Sequence, residues 1–133
     1  MREQLDPVRR GAAAVELAVL LPILTFLFVI TVDFARIFYY AQVIENCARN
    51  GAIYESNLTT AQSPYASLQD AALADATGLS PQPTVTSTPG NDAAGNPYVQ
   101  VTVSWQFQTI CGFPGVPSSM NLSRTVQMRV APN

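Results

Sequence analysis

One stretch near the start of the chain constrains it most, because residues 11–32 contain a single charged side chain, Glu16. As an α-helix, these 22 residues would span about 33 Å. The hydrocarbon core of a bilayer is about 30 Å thick, so this length is sufficient to cross it. The pattern predicts a transmembrane helix over residues 12–32, preceded by a basic leader over residues 1–11.

The leader and the apolar run admit two interpretations. In a secretory signal peptide, about 7–15 apolar residues precede a small-x-small cleavage site. Here the uncharged run from Leu17 alone has 16 residues. It ends in bulky side chains and is followed by the charged Asp33, which favours a retained anchor. The two arginines directly before Gly11 favour a cytoplasmic N-terminus, against a weaker opposing bias from Arg36 and Arg49. We therefore predict a single-pass protein of the inner (cytoplasmic) membrane with an extracytoplasmic C-terminal domain.

The charged residues argue against several classes of function. Seven arginines oppose nine acids, so the net charge of −2 disfavours nucleic-acid binding. The absence of histidine and lysine removes the commonest general base, metal ligand and Schiff-base nucleophile. We expect no catalytic residues, no metal and no cofactor. Asp70, Asp75 and Asp92 are interpreted as solvated surface acids.

Beyond the span, the apolar residues recur every three or four positions without a helix breaker. This spacing predicts that the helix continues over residues 33–56 as an amphipathic extension that packs its apolar stripe on a small domain. The stripe consists of Phe34, Ile37, Phe38, Ala41, Ile44, Ala48 and Ala52. Pro22 predicts a kink or local loosening within the span, and Gly51 marks either a close approach or an early helix end.

Residues 57–133 are predicted to form that small extracytoplasmic domain. Its predicted elements are a short helix over 64–77, which Ser63 caps, and strands over 83–88, 98–108 and 121–130. In the second strand, apolar and polar residues alternate, and the core candidates are Val99, Val101, Val103, Trp105 and Phe107. Arg124 breaks the alternation of the third strand, which suggests an end or an edge.

The predicted fold class is therefore α+β. A long N-terminal transmembrane helix continues as an amphipathic helix. That helix packs on a short helix and a small antiparallel sheet of about three strands.

Glu16 is the residue of this span that most needs an explanation, because a charge at the centre of a membrane costs about 2.5–3.5 kcal/mol. In the simpler interpretation it lies near one membrane surface and is solvated or protonated. Alternatively, cleavage after Gly11 would make Ala12 the N-terminus, and Glu16 could then pair with that amine on a neighbouring subunit. Small residues would let such helices approach closely. The residues predicted to pack between helices are Ala14, Ala18, Pro22, Phe34, Ile37, Phe38, Ala41 and Ile44.

The string RRGAAAVELAVLLP resembles a known family. Glycine, four residues and glutamate after a basic leader resemble the processing site of type IV prepilins. The whole string is similar to the TadE-like proteins of the tight-adherence (Tad/Flp) pilus system. The segment NCARNGAIYES, the strand YVQVTVSWQF and the ending LSRTVQMRV also look like parts of that family.

This resemblance implies a minor pseudopilin that takes part in pilus assembly. It implies cleavage by a prepilin peptidase between Gly11 and Ala12, with Glu16 as the assembly residue. The implied partners are other pilins or pseudopilins in a homo- or hetero-oligomer, the inner-membrane pilus assembly machine and the lipid bilayer.

Two alternatives stay open at the level of sequence. The chain could instead be a membrane-tethered binding module outside any pilus, contacting an envelope ligand through the polar strand face. That face comprises Gln100, Thr102, Ser104 and Gln106. Cys47 and Cys111 could form a disulfide on an oxidising side of the membrane, or remain two free thiols.

Overall fold

The computed structural model describes residues 7–57, 63–110, 112 and 117–130, with side chains from residue 11 onward. Its elements are α1 (Pro7–Ser56), α2 (Leu68–Leu73), β1 (Thr84–Asn91), β2 (Pro97–Gln108) and β3 (Ser119–Arg129). The three strands form one antiparallel sheet in the order β1-β2-β3. The predicted α+β class is confirmed.

The chain divides into two compact units, Met1–Ala35 and Arg36–Asn133. In the described part of the first unit, the chain is helical from Pro7, inside the predicted leader, and continues through Pro22. Proline suits the first position of a helix because its missing N–H needs no partner there. Every side chain from Gly11 to Phe28 is exposed in the isolated chain.

The second unit is built by packing one face of α1 on the inner face of β2. The buried α1 positions within this unit are Ala41, Ile44, Cys47, Ala48, Gly51 and Ala52. The buried β2 positions are Val99, Val101, Val103, Trp105 and Phe107, as the alternation predicts. Tyr40 joins them, since its ring lies 4.9 Å from that of Trp105 and 5.9 Å from that of Phe107. The Trp105 indole N–H donates to the Pro81 carbonyl at 2.7 Å, so this polar group is satisfied inside the core.

Phe38 is the member of the predicted stripe within the second unit that does not pack on the domain. Phe38 is 70% exposed, and Phe34, which belongs to the first unit, is 69% exposed. At about 100° per residue, Phe38 points about 120° away from Ile44, the centre of the buried face. Tyr40 and Cys47 occupy that face instead. The prediction that Phe38 is buried against the domain is therefore wrong.

Gly51 marks a close approach between α1 and its neighbours rather than a helix end. A Cβ added there would lie 3.0 Å from Val101 Cγ1 and 3.2 Å from both Ala72 Cβ and Leu68 Cδ1. Val101 and Ala72 are fully buried, so neither can retreat into solvent. The missing side chain is what lets the helix contact β2 and α2 at this point.

Helix α2 is shorter than predicted and has a different cap. It begins after Ser67, whose hydroxyl accepts a hydrogen bond from the Asp70 N–H at 3.1 Å. Ser63, the predicted cap, accepts from the Tyr65 N–H at 3.2 Å in a local turn. Ala72 is buried, whereas Tyr65 before the helix is 41% exposed.

The strand register separates the sheet into two chemically different faces. Val85, Val103 and Arg124 lie across from one another on the face that packs on α1, and Thr86, Thr102 and Thr125 lie on the outer face. Arg124 therefore belongs to an edge strand, as its break in the alternation suggests. Its guanidinium Nε lies 4.0 Å from Glu45 Oε2 on α1.

Strand β1 continues through Pro89 and Gly90, which the sequence assigned to a loop. Pro89 is tolerated because β1 is an edge strand. The Tyr98 ring covers Gly90, and an added Cβ would lie only 2.5 Å from Tyr98 Cζ, so a larger residue here would displace the end of that ring. The Pro89-Gly90 dipeptide, which is typical of turns, is therefore part of the β1–β2 ladder.

Asp92 organises the turn between β1 and β2. Its carboxylate accepts hydrogen bonds from the Ala94 N–H, the Asn96 N–H and the Asn96 side-chain amide, and it pairs with Arg129 at 2.9 Å. These contacts hold the pKa of Asp92 below its ordinary value of 3.8, the Asn96 side chain contributing most. The ionised carboxylate therefore fixes the hairpin and ties it to the end of β3.

We expect Gly51→Val to destabilise the second unit by about 1–3 kcal/mol, the usual cost of adding atoms to a packed core. Gly51→Ala should cost less, because alanine regains about 1 kcal/mol of helix propensity over glycine. Urea unfolding of the detergent-solubilised chain, followed by fluorescence of the single tryptophan, Trp105, measures both. Gly78→Ala is the matched control, since a Cβ there meets nothing within 4 Å. Unchanged stability of Gly51→Val would contradict the close approach.

We expect the stabilisation by Asp92 to depend on pH. Because its pKa is lower in the folded chain than in the unfolded one, the stabilisation is complete above about 3.8 and is lost as the pH falls through the folded value. Urea unfolding at several pH values should show Asp92→Asn less stable than the parent at pH 7, with the difference disappearing in acid. Asn96→Ala should reduce the same pH dependence. A difference that stays constant down to the lowest pH would refute this role.

Candidate functional site

The first candidate site is the exposed apolar surface of α1 within the first unit. Large apolar side chains cover it on all sides, and each is at least 38% exposed. They are Val15, Leu17, Val19, Leu20, Leu21, Ile23, Leu24, Phe26, Leu27 and Phe28. A helix that is apolar around its whole circumference has no water-facing side, which is typical of a membrane span. Within the described part of the chain, α1 from Gly11 onward is the one helix long and apolar enough to cross a membrane.

The hydroxyl groups in this surface are compatible with lipid. Thr25 donates to the Leu21 carbonyl at 2.9 Å, and Thr31 donates to the Leu27 carbonyl at 2.8 Å. Each hydroxyl thus bonds to the backbone one turn earlier and needs no water. Among residues 11–32, Glu16 is the one side chain that carries a charge.

Glu16 is exposed on this surface, and no salt bridge to it occurs among the described residues. Ala12 and Glu16 are four positions apart in a helix, so they lie on the same face. Gly11 also lies within α1, and nothing is found within 4 Å of the position that a Cβ would occupy there. The structure therefore brings the predicted cleavage and assembly residues together on one open turn of helix.

The residues predicted to pack between helices fall into two groups. Ala14, Ala18 and Pro22 are exposed and four positions apart, so they line one side of α1. Phe34 and Phe38 are exposed as well. By contrast, Ala41 and Ile44 are buried in the second unit, and Ile37 is partly buried against its core. Those three side chains pack within the chain itself.

A second candidate surface is the outer face of the sheet. Along all three strands it carries hydroxyl and amide side chains, from Thr84 to Thr88, Gln100 to Gln108 and Ser119 to Gln127. Neighbouring strands pair through these groups, with 2.9 Å between the Thr102 and Thr125 hydroxyls. The hydroxyls of Ser104 and Ser123 are 3.1 Å apart. These pairs stabilise the sheet across its strands, and the polar face of the binding-module alternative consists of such side chains.

The three aspartates of the second unit have structural partners. Asp70 bonds to Ser67, Asp75 accepts from the Asn50 amide at 2.9 Å, and Asp92 bonds to its own turn. Glu45 lies 3.8 Å from Arg49 one turn along α1, in an exposed pair of the kind that contributes little to stability. Over the residues that the structure describes, no three potential metal-binding side chains of the His, Cys, Asp or Glu type come together.

Cys47 is a fully buried free thiol, in contact with the core between α1 and β2. Burial raises the pKa of this thiol, and the negative charge of Asp75 raises it further. Cys47 therefore stays protonated and unreactive at neutral pH. Cys111 lies outside the described residues; a disulfide with Cys47, which is free in this structure, stays one of the two alternatives that the sequence leaves open.

One contact was not foreseen from the sequence. The Arg36 guanidinium lies over the Phe107 ring, 4.9 Å from its centroid, where β2 ends beside the first turn of α1 in the second unit. Nothing in the alternation of β2 indicates a cation at this point. Two sequence features together could have predicted it. Arg36 lies four positions before Tyr40, on the same face of α1, and β2 ends in aromatic residues.

Comparison with known proteins bears on the same part of the chain. The family model described as TadE-like protein matches residues 11–52, which begin at the predicted cleavage glycine and end within α1. The resemblance inferred from the sequence is thereby confirmed over this region. No curated protein and no solved structure matches the chain. The family match indicates a component associated with the tight-adherence pilus, and the apolar helix is consistent with a membrane anchor.

Proposed function

We propose that this chain is a minor pilin-like component, a pseudopilin, of tight-adherence pilus assembly, acting through subunit packing and not through catalysis. The observation that carries the proposal is the exposed, wholly apolar surface from Gly11 to Phe28 with Glu16 as its single charge, within the TadE-like match. Such a surface needs either lipid or other helices around it. During assembly, a pilus component would exchange the lipid around this surface for the helices of other subunits.

In this proposal, a prepilin peptidase cleaves between Gly11 and Ala12, and Glu16 then pairs with the Ala12 amine of a neighbouring subunit. The new amine would be a cation at the membrane edge, and pairing would offset the cost of a carboxylate at this depth. Helical geometry supports the match, because Ala12 and Glu16 lie on the same face. The small side chains of Ala14 and Ala18 lie about 160° around the helix from that face, where they permit close contact with a further helix.

The proposed location is the inner membrane, with the N-terminus cytoplasmic and the second unit extracytoplasmic. The basic leader favours this orientation. The proposed partners are other pilins or pseudopilins and the inner-membrane machine that assembles them. Ala14, Ala18 and Pro22 are the proposed helix contacts, since they are exposed along one side of α1.

We expect Glu16→Gln and Glu16→Ala to abolish piliation while the protein remains inserted in the membrane. Glutamine keeps the shape of the side chain and removes the charge that pairs with the amine. Electron microscopy of surface pili and carbonate extraction of membranes measure the two properties. Glu55→Gln is the matched control, because Glu55 is an exposed acid near the end of α1. Normal piliation by Glu16→Gln would exclude the assembly role and favour the tethered binding module.

We expect the mature protein to begin at Ala12. Intact mass and N-terminal sequencing of the protein from membranes measure this directly. In a strain without the prepilin peptidase, or in Gly11→Leu, the residues before Ala12 should remain attached. Detection of the leader on protein from a peptidase-positive strain would remove the cleavage from the proposal without affecting membrane anchoring.

A further inference from the structure

Exposed apolar side chains lie at one end of the second unit, which we call the proximal end. They are Phe38, Tyr39, Ile110 and Met120. The four are 70%, 64%, 58% and 41% exposed. We propose that the proximal end rests in the lipid interface, so that the second unit sits on the bilayer surface and not away from it. This inference rests on the membrane anchoring that is part of the proposed function.

The packing of β2 on α1 places these four side chains at the same end of the unit. Phe107 near the end of β2 contacts Tyr40 and Arg36, whereas Val101 in the middle of β2 contacts Gly51. Strand β2 therefore runs antiparallel to α1, so that its C-terminal end lies beside the N-terminal part of α1 in the second unit. Its end lies beside the part of α1 that contains Phe38 and Tyr39.

The strand register adds the other two residues. Met120 is the partner of Phe107 in the β2–β3 ladder, so it lies at that end on the edge strand. Ile110 follows β2 by two residues, next to the point where the Thr109 N–H donates to the Ser118 carbonyl. The exposed apolar groups thus come from α1, from β3 and from the segment after β2.

Chain length ties this end to the membrane. Phe38 follows Val32, the last residue of the predicted span, by six residues, which reach at most about 20 Å in any conformation. The headgroup region extends about 5–7 Å beyond the hydrocarbon on each side. Aromatic side chains such as Tyr39 favour this zone, because the ring is apolar and the hydroxyl is polar.

The described acids of the second unit that have partners lie away from the proximal end. Arg36 provides a cation at the proximal end. The paired acids lie farther along the unit, with Glu45 beside Arg124, Asp75 beside Asn50, and Asp92 at the other end of the β2 hairpin. Glu45, Asp75 and Asp92 therefore lie away from the proximal end. Four side chains are also far fewer than the roughly 20–30 residues per side of a stable protein interface, so lipid fits this surface better than a second copy.

The test uses the full chain in vesicles of phosphatidylcholine and phosphatidylglycerol. An environment-sensitive fluorophore is attached to Tyr39→Cys or Met120→Cys in a Cys111→Ser background, in which buried Cys47 stays unlabelled. Ala93→Cys, in the exposed turn at the other end of the hairpin, is the matched control. Nitroxide on the lipid headgroup is the quencher, and flotation of the vesicles reports anchoring independently.

We expect a blue shift and a strong loss of emission on adding nitroxide lipid at positions 39 and 120, and neither change at position 93. Flotation with no quenching at 39 and 120, or with equal quenching at all three positions, would overturn the inference and leave anchoring intact. A blue shift in vesicles that nitroxide lipid does not quench would identify a second copy as the occupant and also overturn it. Failure to float would remove both the anchor and the inference. This test is independent of the assembly role of Glu16, because normal piliation by Glu16→Gln would not change the quenching expected at positions 39 and 120.

Discussion

The contact between the buried face of α1 and the inner face of β2 is the interaction on which the second unit depends. Neither surface has another partner of comparable size among the described elements, since a three-stranded sheet and one helix form only two layers. Gly51 sets how closely they approach, and Trp105 and Phe107 fill the space around Tyr40. Helix α2 and the segment after it add Ala72, Ala76 and Leu79 to this core without replacing it.

Hydrophobic periodicity was sufficient to predict α1, β2 and the α+β class, because both elements bury a regular set of positions. It failed where a neighbour decides the outcome. Phe38 is as apolar as Ile44 but lies off the face that β2 covers, and only the position of β2 shows this. Likewise, the β1 ladder includes Gly90 because Tyr98 covers it, a contact between residues on different strands that a turn-like dipeptide conceals.

The candidate site was predictable for a different reason. Gly11 and Glu16 stand out in sequence because the rest of the span is uncharged, and the TadE-like match covers the same residues. Under the proposed packing, Ala14 and Ala18 would contact other subunits, yet in a single chain they are exposed and resemble lipid-facing residues. The proximal end shows the limit of periodicity again. Its members belong to three segments that only the tertiary fold brings to one end.

The close approach at Gly51 also has a consequence for the order in which the chain acquires its structure. Gly51 and Val101 are fifty positions apart in sequence, so this core contact closes a long loop. Helix formation is local and fast, whereas contacts at such separation form late. The apolar face around Ile44 must therefore wait, uncovered, until β2 has been synthesised and delivered to the same side of the membrane. During that interval it is the part of the nascent chain most in need of protection from aggregation.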